Sequence, residues 1–420
     1  MSVKVRNASS PARQLPVHSP TPSPRPGNQG IQTTKNVSFP KKVRNKIKLF
    51  SVRLGLDMTF LFLVIILVII GLVMMFSASY PAALEYTGNS YYYLIRQSIF
   101  SVIGIGIMIL MSYFDYHHFH KLAPIILLIS YGLLLAVFLF PSEDGIHRWI
   151  RFGMFDIQAS EVSKFAIILF LAHWGSTHFR QMDTFKVGVL PALIILVSTA
   201  LLLFKEPHYS GIVIITALVA IMLFISGVKI RYFVFAGIMV AGVVLALAIT
   251  GNLGYAMERL DGWGQALIYT DNDMWQKTYQ TRNSLYAIGS GGLWGLGLGQ
   301  SRQKYLYLPA AQNDFVFAVV CEELGFVGAT IILLIFALLV WRGITLSMRA
   351  KDKFGSLLGI GLSVQIGLQA ILNIMVITDW LPNTGISLPF FSYGGSSLIM
   401  LLAQMGIVLS ISRTSNLEKV

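Results

Sequence analysis

Long apolar runs, separated by short polar connections, dominate the chain from residue 56 onward. The runs approach the ~20 residues that an α-helix needs to cross the hydrocarbon core of a bilayer. Because the membrane interior offers no water to backbone N–H and C=O groups, each run is expected to be a helix. The pattern predicts ten helices, of which the fourth and sixth have the weakest signal, at residues 56–76, 93–112, 122–140, 160–175, 187–204, 209–226, 231–250, 315–341, 354–378 and 390–412.

The amino-acid composition excludes an ordinary water-soluble domain. Hydrophobic residues make up 55% of the chain, charged residues only 12%, and the mean hydropathy is +0.67. Soluble domains typically carry about twice that share of charged residues. The sequence therefore predicts an all-α integral membrane protein with about ten transmembrane helices.

Positive charges in the short loops predict the orientation of the chain. Lys and Arg concentrate in loops on the side of the N-terminus, as at Lys121 and Arg180, whereas loops 77–92 and 380–389 contain neither. Because cytoplasmic loops are enriched in Lys and Arg, both termini are expected to be cytoplasmic. The connection 251–314 is then a long extracytoplasmic loop between the seventh and eighth helices.

The predicted membrane domain spans residues 51–414, and the segments on either side of it have a different composition. Residues 1–50 are rich in Pro, Ser, Thr and Asn, which predicts a disordered, basic cytoplasmic tail. Its basic run at 41–48 can anchor the tail on anionic lipid or dock a cytoplasmic partner. Binding of nucleic acid is not expected, because the net charge of +13 lies mostly in this tail and the cytoplasmic loops. Residues 415–420 form a short cytoplasmic tail.

An acidic cluster marks the start of the eighth predicted helix. Asp314 stands at its beginning, and Glu322 and Glu323 follow about two turns further in. A carboxylate is costly to desolvate in lipid, so it is expected to face a polar cavity and to have a function there.

A second set of polar residues falls at other outer helix ends. Trp149 follows Arg148, a cation that breaks the rule for external loops, and Lys205 lies between the fifth and sixth predicted helices. Glu161 and Lys164 lie three residues apart on one predicted helical face, which permits an ion pair. That pair either holds the bundle together or contacts substrate.

The long loop contains further candidates around a glycine-rich stretch at 289–301. The stretch can bring its backbone close to a phosphate, or it can form a turn without a ligand. Arg259, Gln280 and Lys304 lie on either side of it, and Lys304 can meet a phosphate as a point charge.

Residues 382–397 combine prolines, glycines and hydroxyl side chains before the last helix. They predict a broken backbone that lines a cavity, with Ser392 and Ser396 as candidate contacts. A polar outer site with cations and a carboxylate suits a lipid-linked, anionic, extracytoplasmic substrate. Charge and periodicity leave three classes of protein open: transporter, flippase and enzyme.

These clusters, in this order, resemble the SEDS family of bacterial shape, elongation, division and sporulation proteins. The resemblance covers residues 52–414, and its most specific blocks are Glu322-Glu323-Leu324-Gly325 and the run from Leu388 to Ser397. Further family marks are Arg148-Trp149-Ile150, Gln158-Ala159-Ser160-Glu161, Tyr279-Gln280 and Asn313-Asp314-Phe315. The long basic tail, Ser77-Ala78-Ser79 and Arg96-Gln97 resemble the division branch more than the elongation and sporulation branches.

The resemblance implies a peptidoglycan glycan-strand polymerase in septal cell-wall synthesis. Such an enzyme uses lipid II in an inverting glycosyl transfer and releases undecaprenyl pyrophosphate. Asp314 matches the family's essential carboxylate, which implies a general base. The implied partners are a class B penicillin-binding transpeptidase and other divisome membrane proteins, in the bacterial cytoplasmic membrane. The chain departs from the family pattern at Ala159, His208, Ala310 and Gln312.

A pyrophosphate leaving group needs cations or a divalent metal rather than a general acid. No cofactor is assigned from the sequence, and Mg²⁺ or Mn²⁺ is the candidate ion, with unknown ligands. The alternatives to the polymerase are a lipid II flippase and a non-catalytic scaffold for the transpeptidase. The candidate substrate-binding residues are Lys304, Arg259, Lys205, Gln280, Glu161, Lys164, Trp149, Ser392 and Ser396.

Overall fold

The computed structural model describes residues 55–140, 148–152, 155–238, 262–268 and 272–415. Eleven α-helices can be delimited within these residues, and a further helical segment runs from 230 to 238. The helices are α1 Met58–Thr87, α2 Tyr92–Tyr113, α3 His117–Ala136, α4 Ala159–Thr177, α5 Leu190–Lys205, α6 Tyr209–Ile225, α7 Asn272–Lys277, α8 Tyr279–Gly291, α9 Val316–Met348, α10 Lys353–Ile377 and α11 Gly395–Ser415.

The ten predicted helices agree with this architecture in type and approximate position. Nine overlap helices with described bounds, and the seventh, at 231–250, is helical to residue 238 and then leaves the described residues. Seven helical segments in the described part of the chain are long and apolar enough to cross a membrane. The helices α4 and α6 are not among the seven: α4 contains Glu161 and Lys164, and α6 has only 17 residues.

Large apolar side chains cover the outer faces of these helices. Phe62 is 63% exposed, Val102 and Leu128 are each 72% exposed, and Leu201 is 61% exposed. Contiguous apolar surface of this kind is uncommon on soluble monomers and suits contact with lipid. The protein is therefore a multi-pass membrane protein.

Two elements of the structure were not predicted from the sequence. A two-stranded antiparallel hairpin joins β1 (Trp149–Phe152) to β2 (Phe155–Gln158), directly before α4. In addition, the predicted loop at 251–314 contains α7 and α8, so it is not a plain loop. The described residues are thus helical apart from this small hairpin, whose strand β2 packs against α11.

The helices pack around a common apolar core. The helix α2 runs along α11, α9 packs on α10, and α4 contacts α3, α6 and α10. At the end of the bundle where α1 begins, the Asp57 side chain caps α1 and pairs with Arg342, whose Nη2 lies 2.5 Å from its Oδ2.

The helix α9 is interrupted at Gly325, where the backbone leaves the helical region at a φ of 66°. At this point the backbone of the glycine-rich stretch passes directly over the backbone of α9. A Cβ on Gly295 would lie 2.1 Å from the carbonyl oxygen of Glu323, and one on Gly325 would lie 2.3 Å from the nitrogen of Gly295. Only glycine permits two backbones to approach this closely.

Candidate functional site

A cavity of about 420 Å³ lies at the end of the bundle where α9 begins. Its wall combines parts of the chain that are far apart in sequence: α2, the hairpin, α4, the start of α6, α10 and the segments before α9 and α11. The polar side chains on this wall include Arg96, Arg148, Asp156, Glu161, Lys164, His208, Asp314 and Gln369.

Asp314 stands two residues before α9, and its carboxylate lines the cavity. No described residue donates a hydrogen bond to this carboxylate, although the backbone around it is held firmly. The amide of Asn373 donates to the carbonyl oxygen of Asp314 at 2.7 Å. Burial raises the pKa of Asp314 to about 6, and the positive charge of Arg148 opposes that shift.

Three cations line the same cavity. Arg148 precedes β1, and its guanidinium donates to the carbonyl oxygens of Pro207 and, at 3.5 Å, of Glu206. The ammonium of Lys164 on α4 lies 2.7 Å from Oε1 of Glu161. Arg96 on α2 donates to the hydroxyl of Tyr92 at 2.7 Å. Asp156, Glu161 and Asp314 line the same cavity, so its wall is mixed in sign, with cations that can meet the anionic part of a ligand.

The turn between α5 and α6 adds a buried acid beside the cavity. Glu206 is 1% exposed, and neither of its carboxylate oxygens has a hydrogen-bond partner within the described part of the chain. Burial raises the pKa of Glu206 to about 8, with Arg148 acting in the opposite direction. His208 lines the cavity, and burial lowers its pKa to about 3, so the imidazole is neutral at ordinary pH.

Four of the residues predicted from the sequence meet at this cavity: Trp149, Glu161, Lys164 and Asp314. Ser392 lines a small adjoining pocket, which shares Glu161 with the cavity, and its hydroxyl accepts from the amide of Leu388 at 2.7 Å. The structure therefore brings the predicted carboxylate, the predicted ion pair and the segment before α11 together.

The other predicted residues are not on the cavity wall. Lys205 is exposed at the end of α5, and the hydroxyl of Ser396 is buried without a partner. Gln280 donates to the carbonyl oxygen of Pro309 at 3.0 Å, so it contacts the segment that leads to Asp314. Arg259 lies outside the described residues.

Lys304 is held in an internal ion pair rather than at the cavity. Its ammonium lies 2.9 Å from Oε1 of Glu323, and it also donates to the hydroxyl of Ser77 and to the carbonyl oxygen of Gly299. The sequence alone predicts a phosphate contact for this lysine. The structure instead gives its charge a carboxylate partner 19 residues further along the chain.

The end of the glycine-rich stretch and the two residues after it contact the carboxylates of Glu322 and Glu323. The amides of Gly299 and Ser301 donate to Glu323, and the amides of Arg302 and Gln303 donate to Glu322. Both interpretations of this stretch, a phosphate-binding turn and a turn without a ligand, therefore stay predictions. Its close backbone approach is to glutamate side chains.

Several cavity residues were not among the sequence-based site candidates. Arg96, Asp156 and Gln369 line the cavity, although Arg96 was named only as part of the family resemblance and Asp156 and Gln369 were assigned no role from the sequence. Asp156 follows an aromatic residue in a short hairpin that the apolar pattern does not reveal. Gln369 is an isolated amide inside an apolar helix, which was a signal that polar side chains in membrane helices face a cavity.

The described residues contain no group of three or more His, Cys, Asp or Glu side chains that could hold a metal ion. A cation bound mainly by substrate phosphate oxygens needs only one or two protein carboxylates. Asp156 lines the cavity without a hydrogen-bond partner among the described side chains, so its carboxylate oxygens fit that limited role.

The fold and the cavity define a class: a helical multi-pass membrane protein with a cavity that both carboxylates and cations line. The chain matches the FtsW/RodA/SpoVE family model, described as "Cell cycle protein", over residues 57–417. It therefore belongs to this family, which is the SEDS family that the sequence motifs resemble.

Relatives and solved structures agree with this assignment. Stage V sporulation protein E of Bacillus subtilis (strain 168) is 37% identical over 363 residues, covering 86% of this chain and 97% of that protein. The probable peptidoglycan glycosyltransferase FtsW of Geobacter sp. (strain M18) is 35% identical over 365 residues, covering 85% and 97%.

Two solved structures share the fold. A chain of a peptidoglycan synthase complex, studied for its coordination of polymerization and crosslinking, has a TM-score of 0.70 at 25% identity. That match covers 86% of this chain and 99% of the other. The crystal structure of the rod shape determining protein RodA from Thermus thermophilus has a TM-score of 0.62 at 26% identity, covering 86% and 98%.

Proposed function

We propose that this protein is a peptidoglycan glycosyltransferase that polymerises lipid II, with Asp314 as the general base. The observation that carries the proposal is the Asp314 carboxylate, which accepts no hydrogen bond from the described residues and lines a cavity together with Arg96, Arg148 and Lys164. Relatives that bear the name peptidoglycan glycosyltransferase support the same activity.

The base acts on the acceptor sugar. A sugar hydroxyl is a weak nucleophile, and a carboxylate within hydrogen-bond reach takes its proton as it attacks the anomeric carbon. A pKa of about 6 leaves Asp314 mostly ionised at neutral pH and more basic than an ordinary aspartate. A single carboxylate suffices for a direct, inverting displacement, in which the new glycosidic bond forms as the bond to pyrophosphate breaks.

The cations act on the donor. Undecaprenyl pyrophosphate leaves as an anion, so positive side chains stabilise it without supplying a proton. Arg148 and Lys164 are the first choices because both line the cavity that contains Asp314. They replace Lys304 and Lys205 in this role, while Arg259 stays a prediction.

A divalent ion, Mg²⁺ or Mn²⁺, fits this site as a companion of the pyrophosphate. Asp156 would supply its protein oxygen, since that side chain lines the cavity and makes no hydrogen bond among the described residues. The ion would neutralise charge on the leaving group. Trp149, on β1 at the cavity wall, would pack against the lipid-linked sugar.

The cellular setting is part of the same proposal. The positive charges of the short loops support cytoplasmic termini, so the cavity faces the outer side of the cytoplasmic membrane. The structural likeness to a chain of a peptidoglycan synthase complex supports a class B transpeptidase as partner. Division-branch motifs and FtsW relatives support action at the septum, together with other divisome membrane proteins.

The decisive experiment is polymerisation of labelled lipid II by the purified protein in detergent, with and without Mg²⁺ or Mn²⁺. Wild type should form glycan strands, and Asp314→Asn should lose activity by at least about a hundredfold, because the amide keeps the shape and removes the base. Asp183→Asn is the matched control, since Asp183 is exposed and pairs with Lys229 away from the cavity.

The outcomes separate the three function classes. A flippase has no activity to measure in detergent, so strand synthesis without a bilayer identifies an enzyme. Normal synthesis by well-folded Asp314→Asn would contradict the assignment of the base. A wild type that never polymerises lipid II but still assembles with a transpeptidase would favour the scaffold.

A further inference from the structure

Asn373 connects the two segments that meet at the Asp314 carboxylate. Its side-chain nitrogen donates to the carbonyl oxygen of Asp314 at 2.7 Å and to that of Ile386 at 2.6 Å. Asn373 is 0% exposed and lies on α10, a helix packed along α9 and α11. One rigid amide therefore fixes the backbone of the acidic segment relative to the segment before α11.

Gly385 completes this arrangement from the other side. It adopts a φ of +69°, and a Cβ at this position would lie 2.8 Å from Oδ2 of Asp314. The carboxylate thus rests against the Cα of a residue that neighbours Ile386, the second acceptor of Asn373. The two hydrogen bonds of Asn373 join the segment of Asp314 to the segment of Gly385.

The segment that leads to Asp314 is irregular and needs such external support. Leu306 and Ala310 adopt positive φ angles of 65° and 50°, which are unfavourable for residues other than glycine. Carbonyl oxygens along it are held by side chains of α8, since Asn283 donates to Tyr307 at 2.8 Å. Asn373 makes the last of these contacts, at Asp314 itself.

We propose that Asn373 is a positioning residue that holds the Asp314 carboxylate against Gly385 and inside the cavity. It does not touch the substrate and acts only through the backbone of Asp314. The expected loss of turnover rests on the proposed function, whereas the expected change in the surroundings of Asp314 can be measured without any activity.

Loss of the amide should release the carboxylate towards water. In Asn373→Leu two carbonyl oxygens lose their donor, and the two segments are free to separate. A hydrated carboxylate loses the desolvation that raises the pKa of Asp314, so that pKa should fall from about 6 towards its ordinary value. A displaced base also costs turnover, on the order of a hundredfold for a shift near 1 Å.

The kinetic arm compares Asn373→Leu with Gln365→Leu in lipid II polymerisation. Gln365 is a buried amide on the same helix whose Oε1 has no hydrogen-bond partner, so its loss removes no such contact to the acidic segment. Asn373→Leu should lower kcat about ten- to a hundredfold with KM unchanged, and Gln365→Leu should leave kcat near wild type. In an Asp314→Asn background, Asn373→Leu should cause no further loss.

The second arm reads Asp314 directly and needs no activity. An apolar carbodiimide labels protonated carboxyl groups, and mass spectrometry follows labelling of Asp314 against pH in the purified protein. The labelling midpoint should lie near pH 6 in wild type and at least one pH unit lower in Asn373→Leu. Asn373→Ser keeps one hydrogen-bond donor, and it replaces Asn373→Leu in this measurement if Asn373→Leu does not fold.

These two arms separate the failure of each proposal. If wild type polymerises no lipid II, the proposed function fails, and the labelling midpoints still decide the role of Asn373. An unchanged midpoint in folded Asn373→Leu and Asn373→Ser overturns the positioning role. A raised KM with an unchanged midpoint also overturns it, because that result assigns Asn373 to substrate binding.

Discussion

The ammonium of Lys304 lies 2.9 Å from a carboxylate oxygen of Glu323, with the two side chains only 2% and 0% exposed. The pair joins the segment before Asp314 to the first piece of α9. Ser77 of α1 donates to the same carboxylate at 2.7 Å, so three separate elements meet there. A charge that looks available in the sequence is therefore committed to the fold.

Removal of one partner of this pair should destabilise the protein strongly. Lys304→Met leaves the Glu323 carboxylate buried without its cation, at an expected cost of about 3–5 kcal/mol in unfolding free energy. The double variant Lys304→Met/Glu323→Gln removes both charges and should recover much of that loss. Thermal unfolding in detergent measures both. If Lys304→Met kept wild-type stability and raised KM for lipid II, the lysine would contact substrate after all.

The glycine crossing should tolerate no side chain. Gly295→Ala and Gly325→Ala put a Cβ within 2.1 and 2.3 Å of backbone atoms, so neither variant should give folded protein in normal yield. Gly299 is the matched control, because it has a φ of +79° but no atom within 4 Å of its Cβ position. Gly299→Ala should cost only about 1–2 kcal/mol of backbone strain. Equal yields for all three variants would contradict the crossing.

The activity of the protein should fall at acid pH as Asp314 becomes protonated. With a pKa of about 6, kcat/KM should be half-maximal near pH 6 and drop about tenfold for each pH unit below it. Arg148 lowers this pKa, so Arg148→Gln should move the midpoint to higher pH. A pH series of initial rates tests both statements, and an acid limb near pH 4 would exclude a buried base.

Glu206 should make the stability of the protein fall as pH rises. Its pKa is about 8 in the folded state, against an ordinary value of 4.5, because burial disfavours the charged form. The folded state thus holds the proton more tightly, and this contribution is complete below about pH 4.5 and lost as pH rises through about 8. Glu206→Gln stays neutral, so its Tm should change less than that of wild type across this window.

The N-terminal tail should be dispensable for catalysis. Residues 1–40 lie outside the described residues and were predicted to be disordered, so their deletion should leave polymerisation by the purified protein unchanged. Any defect should appear in cells, as poor recruitment to the division site. The basic run at 41–48 stays in the truncated protein to keep the N-terminus cytoplasmic. A folded but inactive truncation would give the tail a catalytic or allosteric role.

The sequence predicted what depends on local pattern. Apolar runs identified the helices, and Asp314 stood out because a carboxylate at the start of an apolar helix is costly without a polar cavity. The sequence could not distinguish Lys304 from Arg148. Both are cations near outer helix ends, and only the folded chain brings Glu323 to one and the cavity to the other.

Other parts were missed because their signals are short or mixed. The helix α8 has 13 residues with polar side chains on most faces, so it lacks the long apolar run that reveals a membrane helix. Asn373 is a single amide in an apolar helix, and its two acceptors, Asp314 and Ile386, lie in different segments. Its contacts follow from tertiary structure alone.

The crossing of Gly295 and Gly325 also sets an order of events during synthesis. Residues 291–297 leave the ribosome before Gly325, and their backbone contacts to Glu322, Glu323 and Gly325 do not yet exist. The first piece of α9 must therefore be synthesised before the glycine-rich stretch can pack against it. A chain that stops before Gly325 lacks one partner of the crossing and also lacks the residues of α10 and α11 that line the cavity.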